Sequence, residues 1–465
     1  MQYDIIIRGA QVYAPQALGI NDIAVRDGKI AAIGKALQAT AAREIPAAGL
    51  TAIPGVIETH AHMLLPFCGT QTMNDFFDGT RAGLYGGVTT LIDFADQCRG
   101  GSILEAVQSR TALAARQCAV DYSFHCTLTD INEETLRAIP ALIAQGFTSF
   151  KFYTAYQKSG LLVPYADMER ALRVIAEHGA LATVHAEDEA QINAAITRLK
   201  AEKKTSCRYF LESKPEDSEP SAIRALLALQ RKTGVPLLVR HVSGAAGAKL
   251  IAAAQAEGRA VYAETCPHYL CFDETVYTKP FAQDYLVNPP IRTAADREGL
   301  WQLLSGDTKC TIGTDDCAFY LRQKRISDRF DEIPGGMPGI ETRLVVLHEL
   351  GVRTGRITMQ RLAELTSYYP AQLYGLSAKK GSLAAGMDAD IVLLDTDTED
   401  TLHVASLHEK SDYTPYEGMP LHVRVAYTIA NGCVLVENGT DRALAGSGKL
   451  LKRGLPKPIH RSLAE

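Results

Sequence analysis

The chain has 465 residues, 46% of them hydrophobic, and a formal net charge of −5 at pH 7. This length fits a large α/β domain with a smaller partner, and the weak negative charge gives no electrostatic basis for binding nucleic acid or an anionic membrane. The first residues lack the pattern of a signal peptide, no apolar run reaches the ~18 residues of a membrane span, and the cysteines are scattered without C-x-x-C pairs. We therefore expect a cytoplasmic protein with reduced thiols.

Both ends of the chain have the texture of short β-strands. Residues 1–53 and 376–440 are rich in short apolar runs separated by turn residues. In the second segment, Asn431-Gly432 lies between two apolar runs, which predicts a hairpin with a type I′ turn. We expect the two segments to pair into one small β-sandwich domain, followed by an exposed tail over 441–465.

The segment between them, 54–375, alternates apolar strand-like runs with amphipathic helical patterns. The helical pattern over 165–178 is followed by Gly179, the residue type that commonly ends a helix. About eight strand–helix units succeed one another, which is the count of a (β/α)8 TIM-like barrel in the α/β class. The expected barrel strands are 52–57, 88–94, 120–125, 148–153, 181–185, 237–241, 260–264 and 310–313.

Metal-type ligands follow several of these strands. The first strand leads into His60-Ala61-His62, and residues i and i+2 of a strand point to the same side. A barrel gathers the carboxyl ends of its strands at one mouth, where its chemistry takes place. Imidazole nitrogens and carboxylate oxygens are common ligands of Zn²⁺. The candidate ligands are His60, His62, Lys151, His185, His241 and Asp315.

Lys151 is the unusual member of this set. It lies between Phe150 and Phe152, where burial of an ammonium group is costly, so its pKa is expected to fall. A neutral amine can form a Schiff base. It can also react with carbon dioxide to give a carbamate, whose two oxygens can bridge two cations. Four histidines, a bridging carbamate and an aspartate would suit two divalent metal ions, with Zn²⁺ the expected metal.

The order His-x-His, Lys, His, His, Asp on successive strands resembles the amidohydrolase superfamily. Local sequences resemble its D-hydantoinase/dihydropyrimidinase group, including the bacterial phenylhydantoinase type, from about residue 3 to 440. They include PGVIETHAHM, GFTSFKFYTAY, TVHAEDE, AETCPHYL, GTDDCAF and GGMPGIETR. The resemblance implies hydrolytic opening of a hydantoin or dihydropyrimidine ring to an N-carbamoyl amino acid.

The resemblance also implies a role for each candidate residue. The ligands divide between two metal ions: His60, His62 and Asp315 for the more buried ion, His185 and His241 for the second, and Lys151, as N6-carboxylysine, between them. A hydroxide between the metals would be the nucleophile. Asp315 would act as general base and then acid, and Tyr156 would stabilise the oxyanion. The residues expected to contact the substrate are Tyr156, Asn288, Gly335, Leu65 and Phe152, the last two around a nonpolar ring substituent.

Several positions depart from the usual sequences of the group. Asp316 follows Asp315 where His is common, Gly335 replaces Asn, and Asn288 replaces Ser before Pro-Pro. His268 stands where hydantoinases often have Gln, a sequence closer to that of allantoinases. The ligand set is kept, so these departures bear on the natural substrate.

Two alternatives stay open. An allantoinase-type enzyme fits the same ligand set, whereas a dihydroorotase is disfavoured because Leu64 stands where that enzyme places a substrate-binding Arg. A non-catalytic dihydropyrimidinase-like binding protein, of the collapsin-response-mediator type, would have lost metal ligands, and here all ligand positions are filled. The resemblance implies a small cyclic amide or imide as substrate, no nucleic-acid or membrane partner, and a homotetramer or homodimer.

Overall fold

The computed structural model describes residues 2–459, and its central element is a parallel sheet of eight strands. The strands follow chain order across the sheet, as the predicted alternation of strands and helices requires. We number them barrel strands 1 to 8: Val56–Glu58, Val88–Asp96, Asp121–Thr127, Ser149–Tyr153, Leu181–His185, Leu237–Val239, Val261–Thr265 and Cys310–Ile312.

The loops that follow barrel strands 1 and 8 bring the two edges of this sheet together. The amide of Asp316 donates to the carbonyl of His60 at 3.2 Å, and the amide of His62 donates to the carbonyl of Asp316 at 2.8 Å. Ala61 and Asp316 thereby form a parallel bridge. The TIM-like barrel predicted from the sequence is confirmed, and the segments that follow its first and last strands meet beside the candidate ligands.

Helices lie between the strands and pack against the sheet. The predicted helix over 165–178 is confirmed as Tyr165–Glu177, and Gly179 follows it with a φ of 68°. No helix within residues 2–459 is both long and apolar enough to cross a membrane. The longer helices are Phe76–Tyr85, Ile103–Gln117, Glu133–Ala144, Tyr165–Glu177, Glu189–Ala201, Ser218–Thr233, Ala245–Ala256 and Ala294–Ser305; the shorter ones are Pro267–Cys271, Leu321–Lys324, Arg343–Leu347, Met359–Ala363 and Tyr369–Leu373.

The two chain ends form a second sheet, of nine strands. Its strands are Gln2–Tyr13, Ala17–Arg26, Lys29–Gly34, Thr40–Pro46, Leu50–Pro54, Ile391–Asp395, Arg424–Ala430, Cys433–Glu437 and Thr440–Asp441. Antiparallel pairing of Leu50–Pro54 with Ile391–Asp395 joins the two ends, as expected. The predicted hairpin is also confirmed, since Ala430 pairs with Cys433 across the turn.

The run predicted as one barrel strand, 52–57, is divided between the two sheets at Gly55. Leu50–Pro54 belongs to the small sheet and Val56–Glu58 to the barrel. A Cβ at Gly55 would lie 2.2 Å from Oγ1 of Thr89. Only glycine permits this close approach, and the backbone passes directly from one sheet to the other.

Most residues of 441–459 are exposed, as expected, but the segment is not a free tail, because its backbone is hydrogen-bonded to the barrel. They run along the amino-terminal ends of the barrel strands, where the amide of Leu451 donates to the carbonyl of Tyr122 at 2.7 Å. The side chain of Arg453 is buried beside barrel strand 3. We call residues 441–459 the C-terminal strap. The rest of the predicted tail, 460–465, lies outside the described residues.

Candidate active site

A cavity of about 500 Å³ opens at the carboxyl ends of the barrel strands. A parallel barrel places side chains that are distant in sequence at one mouth. The predicted ligands all line this cavity: His60, His62, Lys151, His185, His241 and Asp315. The structure therefore brings the six predicted ligands together at one mouth of the barrel.

His60 and His62 extend from the end of barrel strand 1 and meet one carboxylate. Nε2 of His60 lies 3.0 Å from Oδ1 of Asp315, and Nε2 of His62 lies 3.3 Å from the same oxygen. Burial alone would raise the pKa of Asp315, but His60 and the hydrogen bonds from both imidazoles outweigh burial and hold this pKa well below its usual range. An ionised carboxylate between two imidazoles can serve as a ligand for a divalent cation.

His185 and His241 form the opposite part of the cluster. Nδ1 of His185 lies 2.9 Å from Nε2 of His241. Burial lowers the pKa of both imidazoles, which favours the neutral form that binds metals. One ligand atom from each of His60, His241 and Asp315 lies within 4.8 Å of the others. The two halves of the cluster are thus close enough to share a metal centre.

The amine of Lys151 lies in the same cavity without a partner. The residue has no exposed surface, and Nζ forms no hydrogen bond with the described residues. Nζ lies 4.8 Å from the centre of the Tyr153 ring and 5.5 Å from that of Phe94. Burial, followed by the charge of Arg240, lowers the pKa of Lys151 to about 7. A buried amine with no hydrogen-bond partner is costly, so Lys151 is a candidate to bind a further group.

A buried carboxylate that the sequence analysis missed orients His60. Oε1 of Glu264 lies 2.5 Å from Nδ1 of His60, and Oε2 accepts a hydrogen bond from Arg240 at 2.7 Å. Burial alone would raise the pKa of Glu264, but Arg240 and His60 bring it down to about 2. Such contacts fix the tautomer and ring orientation of a metal-binding histidine. Glu264 ends a predicted strand, and this position at the barrel mouth could have identified it.

Glu187 has the same relation to His185. Its Oε2 lies 2.8 Å from Nε2 of His185 and 3.5 Å from Nζ of Lys214. The contact leaves Nδ1 of His185 directed at His241. The sequence analysis missed Glu187 as well, although it stands two residues after its histidine.

Three candidate ligands or catalytic residues have left-handed backbone conformations. The φ angle is 36° at His241, 51° at Asp315 and 67° at Tyr156. Positive φ is costly for residues other than glycine and occurs most often at functional sites. Each of these residues follows a barrel strand, and each side chain lines the cavity.

Tyr156 lies in the wall of the cavity, as expected. Its ring contacts the ring of His185, with centroids 4.9 Å apart, and the edge of Phe67, at 6.1 Å. Burial raises the pKa of Tyr156 well above its usual value. The phenol therefore keeps its proton and can donate a hydrogen bond.

Asn288 and Gly335, two of the unusual positions, touch each other in the cavity wall. A Cβ at Gly335 would lie 2.4 Å from Nδ2 of Asn288. The larger side chain at 288 thus occupies the space that a side chain at 335 would need, so the two departures are complementary.

Lys324, which the sequence analysis missed, connects the segments that contain Asn288 and Gly335. Its ammonium donates hydrogen bonds of 2.8–2.9 Å to the carbonyls of Leu286, Pro334 and Gly336.

Leu65 lines the cavity as expected, with its neighbours in the loop 64–68. Phe152 does not, and its prediction as a substrate contact was wrong. Successive residues of a strand point to opposite faces, so Lys151 and Tyr153 face the cavity. Phe152 has no exposed surface and packs in the apolar core. Tyr153 occupies the wall position expected for Phe152.

Asp316 and His268 do not line the cavity. Oδ1 of Asp316 accepts hydrogen bonds from the amides of Gly339 at 2.8 Å and Ile340 at 3.2 Å. Burial raises the pKa of Asp316 to about 6. These hydrogen bonds connect the loop after barrel strand 8 to the segment at Gly339 and Ile340. His268 is buried, and burial lowers its pKa to about 4.

Comparison with known proteins agrees with the fold. The sequence pattern described as "Amidohydrolase family" matches residues 51–435. D-phenylhydantoinase of Escherichia coli (strain SE11) is 34% identical over 457 residues, which are 97% of this chain and 98% of that protein. The crystal structure of dihydropyrimidinase from Brevibacillus agri NCHU1002 has a TM-score of 0.95 at 34% identity, covering 98% of this chain and 99% of that one. D-hydantoinase from Bacillus sp. AR9 also has a TM-score of 0.95, at 35% identity, covering 98% of this chain and all of that one (100%). This chain belongs to the amidohydrolase family.

Proposed function

We propose that this protein is a binuclear-metal cyclic amidohydrolase that opens a hydantoin or dihydropyrimidine ring to an N-carbamoyl amino acid. The observation that carries the proposal is the meeting of four imidazoles, one carboxylate and one bare buried amine in a single cavity. Similar proteins carry the names D-phenylhydantoinase and dihydropyrimidinase. Both names indicate cyclic amide substrates.

The donor set fits two divalent metal ions, with Zn²⁺ as the proposed metal. His60, His62 and Asp315 would hold one ion, and His185 and His241 the other. The partnerless Nζ of Lys151 supports a bridging N6-carboxylate, because the amine is buried and its pKa of about 7 leaves a neutral fraction that can react with carbon dioxide. Bound ions of this kind make hydroxide available at neutral pH and polarise the carbonyl group under attack.

The side chains of this protein supply the proton transfers. Oδ1 of Asp315 lies at the centre of the cluster, where it can take the proton from the attacking water and pass it to the ring nitrogen that leaves. The phenol of Tyr156 donates a hydrogen bond to the oxygen that becomes negative as the tetrahedral intermediate forms. The segments around Asn288 and Gly335, braced by Lys324, hold the cyclic amide through backbone groups.

A substrate panel tests this proposal. The purified protein is supplied with Zn²⁺ and bicarbonate, its metal content is measured, and ring opening is followed with hydantoin, 5-phenylhydantoin, dihydrouracil, allantoin and dihydroorotate. We expect about two metal ions per chain and N-carbamoyl products from the hydantoins or dihydrouracil. Turnover of allantoin alone would favour the allantoinase alternative. A folded protein that binds no metal would contradict the proposal and favour the non-catalytic alternative.

The cytoplasmic location and the homotetramer or homodimer stay predictions. Light scattering on the purified protein measures the assembly directly. A monomer at assay concentration would contradict that part of the expectation without bearing on the chemistry.

A further inference from the structure

One carboxylate in the cavity is not used by the proposed chemistry. Asp96 is the last residue of barrel strand 2 and lines the cavity. Phe94, two residues earlier, stacks on the ring of His62 with the centroids 4.6 Å apart. Residues i and i+2 of a strand share a face. The side chain of Asp96 therefore lies on the face that carries the candidate metal cluster, one step closer to the opening.

The backbone of Asp96 pairs with Thr127 in the sheet, but its carboxylate has no hydrogen-bond or ion-pair partner among residues 2–459. The arginines that line the same cavity are directed elsewhere. Arg110 donates to Oδ1 of Asp93 at 3.0 Å and to the carbonyl of Phe94 at 3.1 Å. Arg99 donates only to backbone carbonyls of neighbouring loops, at 3.2–3.3 Å. A carboxylate that faces a ligand cavity without a protein partner is left to accept hydrogen bonds from the ligand.

Part of the lining of the cavity that holds Asp96 is apolar. The loop 64–68, with Leu64, Leu65 and Phe67, and the later residue Leu161 give the outer cavity an apolar surface. An apolar substituent would exclude water from Asp96 without replacing its hydrogen bonds, which is unfavourable. An acidic substituent would meet a like charge. A group with N–H donors would satisfy the carboxylate, and the exposed guanidinium of Arg99 on the same wall can serve its carbonyl oxygen.

We infer that Asp96 is a specificity-determining residue that selects ring substituents with hydrogen-bond donors, such as a carboxamide or ureido group, over apolar or acidic substituents of the same size. The inference rests on the proposed function and refines it. The sequence analysis expected a nonpolar substituent beside Leu65 and Phe152, and Asp96 adds a polar requirement in the cavity that Leu65 lines.

Three hydantoins of nearly equal size test the inference. They carry a 2-carbamoylethyl, a 2-carboxyethyl or a 3-methylbutyl group at position 5. For the wild type we expect kcat/KM for the carbamoylethyl compound to exceed the other two by about tenfold to hundredfold, the usual effect of a hydrogen bond to a charged group. Asp96→Leu should reverse the order of the carbamoylethyl and methylbutyl compounds. Asp96→Asn should raise kcat/KM for the carboxyethyl compound at least tenfold relative to that for the carbamoylethyl compound, because residue 96 no longer carries a negative charge.

Asp130→Asn is the matched control. Asp130 accepts a hydrogen bond from the amide of Gly100, in the loop that follows Asp96, but does not line the cavity. Its removal should leave the wild-type order of the three compounds unchanged. A wild-type preference for the methylbutyl compound, or an equal loss on all three in Asp96→Leu, would overturn the inference.

Binding of the three ring-opened products, measured by thermal shift on the same zinc-loaded proteins, repeats the comparison without turnover. We expect the carbamoylethyl product to give the largest shift in the wild type and to lose this advantage in Asp96→Leu. If the three products rank in the same order in the wild type and in Asp96→Leu, the result contradicts a role of Asp96 in specificity. If no hydantoin is opened at all, the proposed function fails, and the product ranking still decides for or against the role of Asp96.

Discussion

At the residue scale, the bare amine of Lys151 is the most informative group to change. Lys151→Ala removes the proposed bridge, so we expect ring opening to fall to background. Acetate or propionate should restore part of the rate, since a short carboxylate can occupy the space of the missing side chain and bridge two cations. Initial rates of the metal-loaded variant are measured against acid concentration.

Lys158→Ala is the control for this experiment, since Lys158 is exposed and does not line the cavity. It should keep wild-type activity and show no response to acetate. Complete absence of rescue in a folded, metal-loaded Lys151→Ala protein would contradict the carboxylated lysine.

Asp315→Asn separates proton transfer from metal binding. The amide keeps the shape of the side chain and one oxygen but cannot act as a base. We expect kcat to fall by about 10²–10⁴-fold, the usual contribution of general acid–base catalysis, while metal content falls only partly. Rates and metal analysis are compared with those of Asp130→Asn, which lies outside the cavity. Turnover close to that of the wild type would remove Asp315 from the proton-transfer role.

The candidate metal ligands were easier to predict from the sequence than the residues that orient them. Histidines at strand ends are recognisable because an apolar run followed by His is unusual. Glu264 was missed because its meaning depends on Arg240 and His60, two residues far away in sequence. The error at Phe152 had a simpler origin, since the alternation of a strand excludes it once Lys151 is placed inside.

At the element scale, the short helix Leu321–Lys324 holds two cavity segments in register. The ammonium of Lys324 donates to the carbonyl of Leu286, two residues before Asn288, and to those of Pro334 and Gly336, on either side of Gly335. Lys324→Met would remove the donor from the buried carbonyls of Pro334 and Gly336, whereas the carbonyl of Leu286 would still accept from the amide of Gly336 at 2.9 Å. We expect KM for the ring to rise about tenfold and metal content to stay unchanged. Kinetics and metal analysis of the variant check this.

Arg322→Met on the same helix is the matched control. Arg322 is exposed, and its guanidinium stacks on Tyr320 4.5 Å from the ring centre. It should leave KM unchanged. If Lys324→Met lowers kcat and metal content together while KM stays constant, the prediction is wrong. The hydrogen bonds of Lys324 would then support the metal cluster and not the segments around Asn288 and Gly335.

The boundaries of elements were harder to predict than their order. The apolar run at 52–57 has the composition of one strand, and its division at Gly55 follows from the contact with Thr89 in the neighbouring barrel strand. That contact exists only in the folded protein. The hairpin at Asn431-Gly432 was predictable, because its turn chemistry is local.

At the scale of the whole molecule, the C-terminal strap binds the face of the barrel opposite the active site. Arg453 donates to Oγ of Ser123 at 2.9 Å and to the carbonyl of Phe124 at 2.5 Å. Arg453→Ala would leave both acceptors unpaired, so we expect the free energy of unfolding to fall by about 1–3 kcal/mol. Chemical denaturation of the metal-loaded protein measures this loss.

The neighbouring Lys452 is exposed, and Lys452→Ala serves as the control. It should not change stability, and neither variant should change KM, because the amino-terminal face of a barrel serves stability and the carboxyl-terminal face carries the chemistry. Equal stability of Arg453→Ala and the wild type would show that the strap contributes nothing. The strap escaped prediction because its composition is that of a solvated tail and its buried contacts are few.

The backbone at His241, Asp315 and Tyr156 has a consequence for how this protein would change under selection. Glycine adopts positive φ freely, so replacement by glycine at these three positions would relieve unfavourable local conformations. Selection for thermal endurance alone would therefore favour variants that have lost these three candidate site side chains. A screen that rewards both endurance and turnover would keep them, and the difference between the two outcomes would measure how much folding stability this protein gives up for its chemistry.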